Sequence, residues 1–161
     1  LRRFLRSGSS EFTRVSMNQV VAESLAMIQT ELTRYEISLA QEVGSDVSVW
    51  GNEGQLQMVV LNLLKNAQDV LKAVPSPRAI HLQLSQSDQA TVLTVTDNGP
   101  GIPESERARL FDMFYSTKEE GMGLGLWLSH SIVKNHGGQL QVSSSPTGGA
   151  CFTLTLARSA Q

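Results

Sequence analysis

Cys151 is the only cysteine among 161 residues, which excludes an internal disulfide framework and a cysteine-rich zinc site and fits a reducing compartment. A buried strand residue is the simpler reading of it than a reactive thiol. Long apolar runs are missing as well: nothing approaches the roughly 18 consecutive apolar residues that a spanning helix needs. The opening Leu1-Arg2-Arg3-Phe4-Leu5-Arg6 is too short and too charged for a signal peptide. The expectation is a soluble, cytoplasmic chain. Because it starts at Leu1 rather than Met, it reads as a piece of a larger parent, which leaves room for an inner-membrane anchor or a sensor elsewhere. Positive charge is also scarce. With 13 Lys and Arg against 15 Asp and Glu the net charge is −2, no field for a nucleic-acid backbone. There is no internal repeat and no long low-complexity segment.

What is present suits a single globule. The 40% hydrophobic fraction is far from that of a disordered tail, and one core at this length buries about two-thirds of the unfolded surface. Leu1 to Arg6 is basic and apolar at helical spacing and runs into Ser7-Gly8-Ser9-Ser10, either a helix end with a flexible link or a solvated tail. Residues 12–16 alternate as a short strand, and Asn18 can cap a helix with Val20, Val21, Leu25, Ile28 and Leu32 at a 3.6-residue period. Residues 37–40 and 47–50 alternate again, with Trp50 a core or edge aromatic. Gly51-Asn52-Glu53 opens the longest helical pattern, Leu56, Val59, Val60, Leu63, Leu64, Ala67, Val70 and Leu71, which stops before Pro75-Ser76-Pro77. Residues 79–84 and 90–96 then read as one antiparallel pair, and residues 139–143 and 150–156 as another. Helices and strands interleave early and hairpins follow, so the spacing predicts a mixed sheet with helices on one face.

Two glycine-rich stretches punctuate this pattern. Thr94-Val95-Thr96-Asp97-Asn98-Gly99-Pro100-Gly101-Ile102-Pro103 is a β-branched strand running into a turn, with one carboxylate at its end. Gly121-Met122-Gly123-Leu124-Gly125-Leu126 opens into an apolar run that ends at Gly137-Gly138. Alternate glycines just before a helix let backbone approach a ligand closely and leave the helix's first N–H groups free for an anion. Each stretch by itself is equally an ordinary turn. No Gly-Lys-Ser/Thr follows, so this is not a Walker loop, and no early strand-glycine-helix unit exists for a Rossmann fingerprint.

On the long helix Asn62, Asn66 and Asp69 fall within an arc of about 60°, bordering the apolar face. Asparagine is a poor helix former, and two of them one turn apart point either to buried hydrogen bonding or to oxygen ligands for a hard cation such as Mg²⁺. Between the glycine stretches, Phe111 and Phe114 can share a face as an anchor, and the short polar remainder through Ser116, Thr117 and Lys118 can close as a lid. Lys118 is the cation best placed to reach a terminal phosphate, although a lone loop lysine is usually just solvated.

Four blocks therefore stand in one order: Asn62-Leu63-Leu64-Lys65-Asn66-Ala67-Gln68-Asp69, Asp97-Asn98-Gly99-Pro100-Gly101, Leu110-Phe111-Asp112-Met113-Phe114 with Ser116-Thr117-Lys118, and Gly121-Met122-Gly123-Leu124-Gly125-Leu126. This order closely resembles the N, G1, F and G2 boxes of the catalytic, ATP-binding domain of bacterial two-component sensor histidine kinases, nearest their nitrogen- and oxygen-sensing branch. Gly148-Gly149-Ala150-Cys151-Phe152 resembles the last glycine box. The wider superfamily includes DNA gyrase B, mismatch-repair ATPases and a heat-shock chaperone.

The resemblance implies a Bergerat-type α/β two-layer sandwich, about five mixed strands against three helices, over residues 11–158. Residues 1–10 would be the end of a dimerisation and phosphotransfer helix with its linker, and residues 159–161 a tail. It implies ATP and Mg²⁺ as cofactors. Asn66 would hold the metal, with Asn62 beside it as a second polar contact, candidate metal ligand and catalytic residue. Asp97 would meet the adenine amine, and Gly99, Gly101 and Ile102 would line the adenine pocket. Asp69, Phe111, Phe114, Ser116, Thr117, Met122, Leu124 and Leu126 complete the nucleotide site. Gly121, Gly123 and Gly125 would bring backbone N–H groups to the phosphates, and Lys118 would approach the γ-phosphate as the second catalytic residue. The implied reaction is transfer of that phosphate to a histidine on a separate dimerisation domain, for relay to a response-regulator aspartate. The isolated domain would be a monomer and its parent a homodimer.

Two departures from the family pattern stand out. Ala150 and Cys151 occupy a place where the family often has Ser or Thr supporting the adenine-binding carboxylate, so Thr153 or a water would have to serve. The acceptor histidine is missing, since none of His81, His130 and His136 has an acidic residue next in sequence; all three read as structural. A hydrolytic ATPase clamp is the competing activity, but its members place a glutamate where Asn62 stands, and an amide is no general base. A non-catalytic docking module would require a vestigial site, against Asn66, Asp97 and the three glycines.

Overall fold

The computed structural model describes residues 11–112 and 123–158. In chain order the elements are β1 (Thr13–Ser16), α1 (Met17–Arg34), β2 (Ile37–Val43), β3 (Ser48–Gly51), α2 (Glu53–Lys72), β4 (Arg78–Gln86), β5 (Ala90–Asp97), the single-turn α3 (Glu104–Arg107), α4 (Gly123–Asn135), β6 (Gln139–Ser144) and β7 (Ala150–Ala157). Five strands form one sheet in the order β2-β4-β5-β7-β6, with β2 and β4 parallel and the other pairs antiparallel. The expected mixed sheet and three long helices are present. A separate two-stranded sheet, β1 against β3, and the short α3 were not foreseen.

Alternation decides which face of the sheet is covered. Along β5 and β7 every second residue is buried, and Leu93 lies opposite Leu154 and Val95 opposite Phe152 on that face. The apolar stripes of α1 (Val20, Val21, Ile28, Leu32), α2 (Leu56, Val59, Val60, Leu63, Leu64) and α4 (Ile132, Val133) close over it in one core. Truncating one of its fully buried leucines, such as Leu63, to alanine costs about 2–5 kcal/mol. That rigidity holds α2 and α4 at fixed separation.

Asn18 does not cap α1. Ser16 does, its Oγ accepting from Gln19 N–H at 3.2 Å while donating to Asp46 at 2.7 Å. Asn18 instead bridges to the loop before β3, donating to Gly44 O and accepting from Val47 N–H, both at 3.0 Å. Trp50 is not a core residue: it is 54% exposed on β3, opposite Arg14. Residues 1–10 and 159–161, read as helix end with linker and as tail, lie outside the described residues, as do residues 113–122, which hold most of the expected lid and the start of the second glycine stretch.

Candidate functional site

The site starts from the cap of α2. Asn52 accepts from Gln55 N–H at 2.9 Å, its own N–H donates to His136 Nε2 at 3.1 Å, and its Nδ2 donates to Glu11 O at 3.2 Å. A helix begun there carries Asn62, Asn66 and Asp69 along the edge of its buried face. Asn62 Nδ2 donates to Ser129 Oγ at 3.2 Å and to Gly125 O at 3.4 Å, so this edge meets α4. Asn62, Asn66, Gly125 and Leu126 line one small cavity, and none of these described lining residues is ionisable. Asn66 is 9% exposed, and Asp69 lies 3.5 Å from Lys72 one turn on. Leu126 serves the core as well as the cavity.

The glycines were expected just before a helix; instead Gly123, Leu124 and Gly125 form the first turn of α4. The supply of donors survives this correction, because the first four N–H groups of an α-helix lack intrahelical acceptors. A Cβ at Gly125 would lie 3.9 Å from the Asn62 amide, an ordinary contact.

The turn after β5 is packed differently. Asp97 is 3% exposed, and its Oδ1 accepts from Gly99 N–H at 2.8 Å and from Ala150 N–H at 3.4 Å. Backbone from β7 thus reaches the carboxylate. Thr153 does not share its side: Thr153 lies opposite Thr94, and side chains alternate along a strand, so it projects from the face opposite Asp97. A Cβ at Gly149 would sit 1.9 Å from Asp97 O, and one at Gly101, where φ is +82°, 2.5 Å from Gly148 O. At Gly99 it would meet Val70 of α2 at 2.7 Å. Ile102 O accepts from Arg107 Nε at 3.3 Å, and the same guanidinium donates to Ser144 Oγ, tying this turn to β6.

Phe111 stacks on His130 with ring centres 4.9 Å apart and meets the edge of Phe152 at 6.3 Å. Its expected partner Phe114, with Ser116, Thr117, Lys118, Gly121 and Met122, lies outside the described residues. The histidines have structural company: His81 lies 3.4 Å from Glu42 and His130 carries Phe111. His136 stacks on Phe12 at 4.5 Å and bonds Ile132 O through Nδ1 at 2.8 Å. Burial lowers the pKa of His136, partly offset by that bond, which keeps Nε2 free to accept from Asn52.

Sequence reasoning missed Ser129, the Ala150 N–H and the His136 link to Asn52. Only Ser129 left a signal, a polar residue four places after Gly125 in an apolar run.

Comparison with known proteins agrees with this architecture. The sensor kinase AtoS of Escherichia coli is 37% identical over 154 residues, 95% of this chain and 25% of AtoS. The chain thus spans about a quarter of the length of that relative. The solved structure of the mycobacterial sensor histidine kinase MprB superposes with a TM-score of 0.81 at 29% identity, covering 92% of this chain and 98% of that one. Full-length ShkA, solved with AMPPNP, gives 0.80 at 26% identity, covering 94% of this chain and 32% of ShkA. Residues 51–160 match the family described as histidine kinase-, DNA gyrase B- and HSP90-like ATPases. With that match over more than half its length, this chain belongs to that ATPase family.

Proposed function

We propose that this chain is the catalytic domain of a sensor histidine kinase: it binds Mg·ATP and presents the γ-phosphate to a histidine on a separate dimerisation domain, from which a response regulator is phosphorylated. The observation that carries this reading is the span of α2. Asn62 and Asn66 share a cavity with Gly125, and eight residues after Asn62 Val70 packs under Gly99 of the Asp97 turn. That distance is about 12 Å of helix, on which a base and its phosphates can be laid end to end.

The residues fit the group. Two neutral amides supply the oxygen ligands a hard cation takes in small number, and the open first turn of α4 supplies N–H donors for phosphate oxygens. Bound Mg²⁺ would neutralise charge on the phosphates. Asn66 and Asn62 orient it; Gly123 and Gly125 bind phosphate oxygens through backbone N–H; Asp97 takes the adenine amine beside Gly99, Gly101 and Ile102. Ser116, Thr117 and Lys118 are assigned to the lid, Phe114 to its anchor and Gly121 to the phosphates on sequence alone. Phosphoryl transfer asks mainly for positioning, and His81, His130 and His136 are engaged elsewhere, so the nucleophile comes from another domain.

Calorimetric titration with a non-hydrolysable ATP analogue, with and without Mg²⁺, tests this in the wild type, Asn66→Ala and Asp97→Ala. Binding that Mg²⁺ strengthens, with Asn66→Ala abolishing the metal effect and Asp97→Ala weakening both conditions, is the expected result. A folded wild type that binds nothing would overturn it.

A further inference from the structure

The Asn62 amide is gripped from one side. Its Nδ2 donates to a carbonyl, Gly125 O, and to a hydroxyl, Ser129 Oγ, which lie one turn apart on α4. A backbone carbonyl can face only the NH₂ end of an amide, so the contact with Gly125 fixes which way round the group sits. Oδ1 is then the atom turned away from α4, and among the described residues no hydrogen bond reaches it. Asn62 also lines the cavity it shares with Asn66. Ser129 is fully buried and is not among the described residues that line that cavity.

We propose that Ser129 is a positioning residue for the metal side of the site: its hydroxyl completes the grip on Nδ2 and so presents Asn62 Oδ1, next to Asn66, as an oxygen ligand for the nucleotide-bound cation or a water in its shell. This rests on the Mg·ATP reading above. A free amide would lose the same oxygen half the time by turning over; the buried hydroxyl removes that choice before the ligand arrives. Outer partners that orient metal ligands typically carry tenfold or more in metal affinity.

The test is the Mg²⁺ enhancement of analogue binding, the ratio of affinities with and without metal, in the wild type, Ser129→Ala, Ser129→Thr, Asn62→Ala and the double variant Ser129→Ala/Asn62→Ala. Ser129→Ala is expected to cut the enhancement about tenfold while metal-free binding and the melting temperature stay near wild type. Ser129→Thr, which keeps the hydroxyl, restores it, and the double variant is no worse than Asn62→Ala alone. Equal losses with and without metal, an unchanged enhancement, or additive losses in the double variant would each overturn the role. Hydrogen exchange at the Asn62 side-chain amide, followed by NMR without ligand, tests the grip separately: slow in the wild type, fast in Ser129→Ala, and equal rates would refute it. A wild type that binds no analogue in either condition sinks the Mg·ATP reading itself, and Ser129 then keeps only the hydrogen bond that exchange reports.

Discussion

The two glycine stretches look alike in sequence and are held by different neighbours. Around Asp97, Gly101 and Gly149 are glycine because other backbone lies where a side chain would go, at 2.5 Å and 1.9 Å, and Gly99 because Val70 does, at 2.7 Å. At Gly125 the nearest atoms among the described residues stand off at 3.9 Å, an ordinary contact that a methyl group would tolerate. The first set is demanded by the fold. Gly125 is not crowded by any described residue, which fits the ligand proposed above and sharpens what a glycine-rich motif means: the same letters can record protein closing on protein or protein kept clear of something else.

Substitution can break this contrast. Gly149→Ala should do the most damage, about 3 kcal/mol or more by urea unfolding, since neither backbone can yield without moving Asp97. A loss under about 1 kcal/mol would mean the hairpin gives way and the contact is not what selects glycine. Gly125→Ala should leave stability level or raise it by up to about 1 kcal/mol, yet weaken the ATP analogue about tenfold, or 1.4 kcal/mol. If its stability falls as far as that of Gly149→Ala, the contrast fails. The smallest effect concerns Gly51, whose Cβ would meet the His136 ring at 2.6 Å. Burial holds the His136 pKa below its ordinary value of 6.5. The unfolded chain therefore takes up that proton first as pH falls, so the stabilisation is complete above the unfolded value and is lost as pH drops toward the folded one. His136→Gln should flatten this acid limb of a stability–pH profile, and Gly51→Ala, by displacing the ring, should flatten it too. An unchanged limb in both would show that other groups set it.

Much of the fold was legible because period governs it. The alternation in 90–97 and 150–157 and the 3.6-residue stripe of α2 map directly onto buried faces. The cap of α1 was not legible: Ser16 and Asn18 are both good capping residues, and the choice is made by Asp46 and Val47, which come near only in three dimensions. Pairing of β1 with β3 likewise joins residues far apart in the chain. At the site, the asparagine row was readable as an arc on one helix, whereas Ser129 acquires meaning only from the packing of α4 on α2. Thr153 was chosen by chemistry and excluded by parity, since one place along a strand reverses the face.

Strand β3 sits between two edges. Val49 pairs with Val15 of β1 on one side and bridges to Arg158 on the other, and Gly51 and Asn52 lead straight from it into α2. The first strand and the end of β7 are thus clasped to one short strand, with Arg158 also bonded to Gln89 and Ser87 at the β4–β5 turn. The same strand runs through Gly51 and Asn52 into the helix bearing Asn62 and Asn66, so the clasp and the asparagine row share one stretch of backbone.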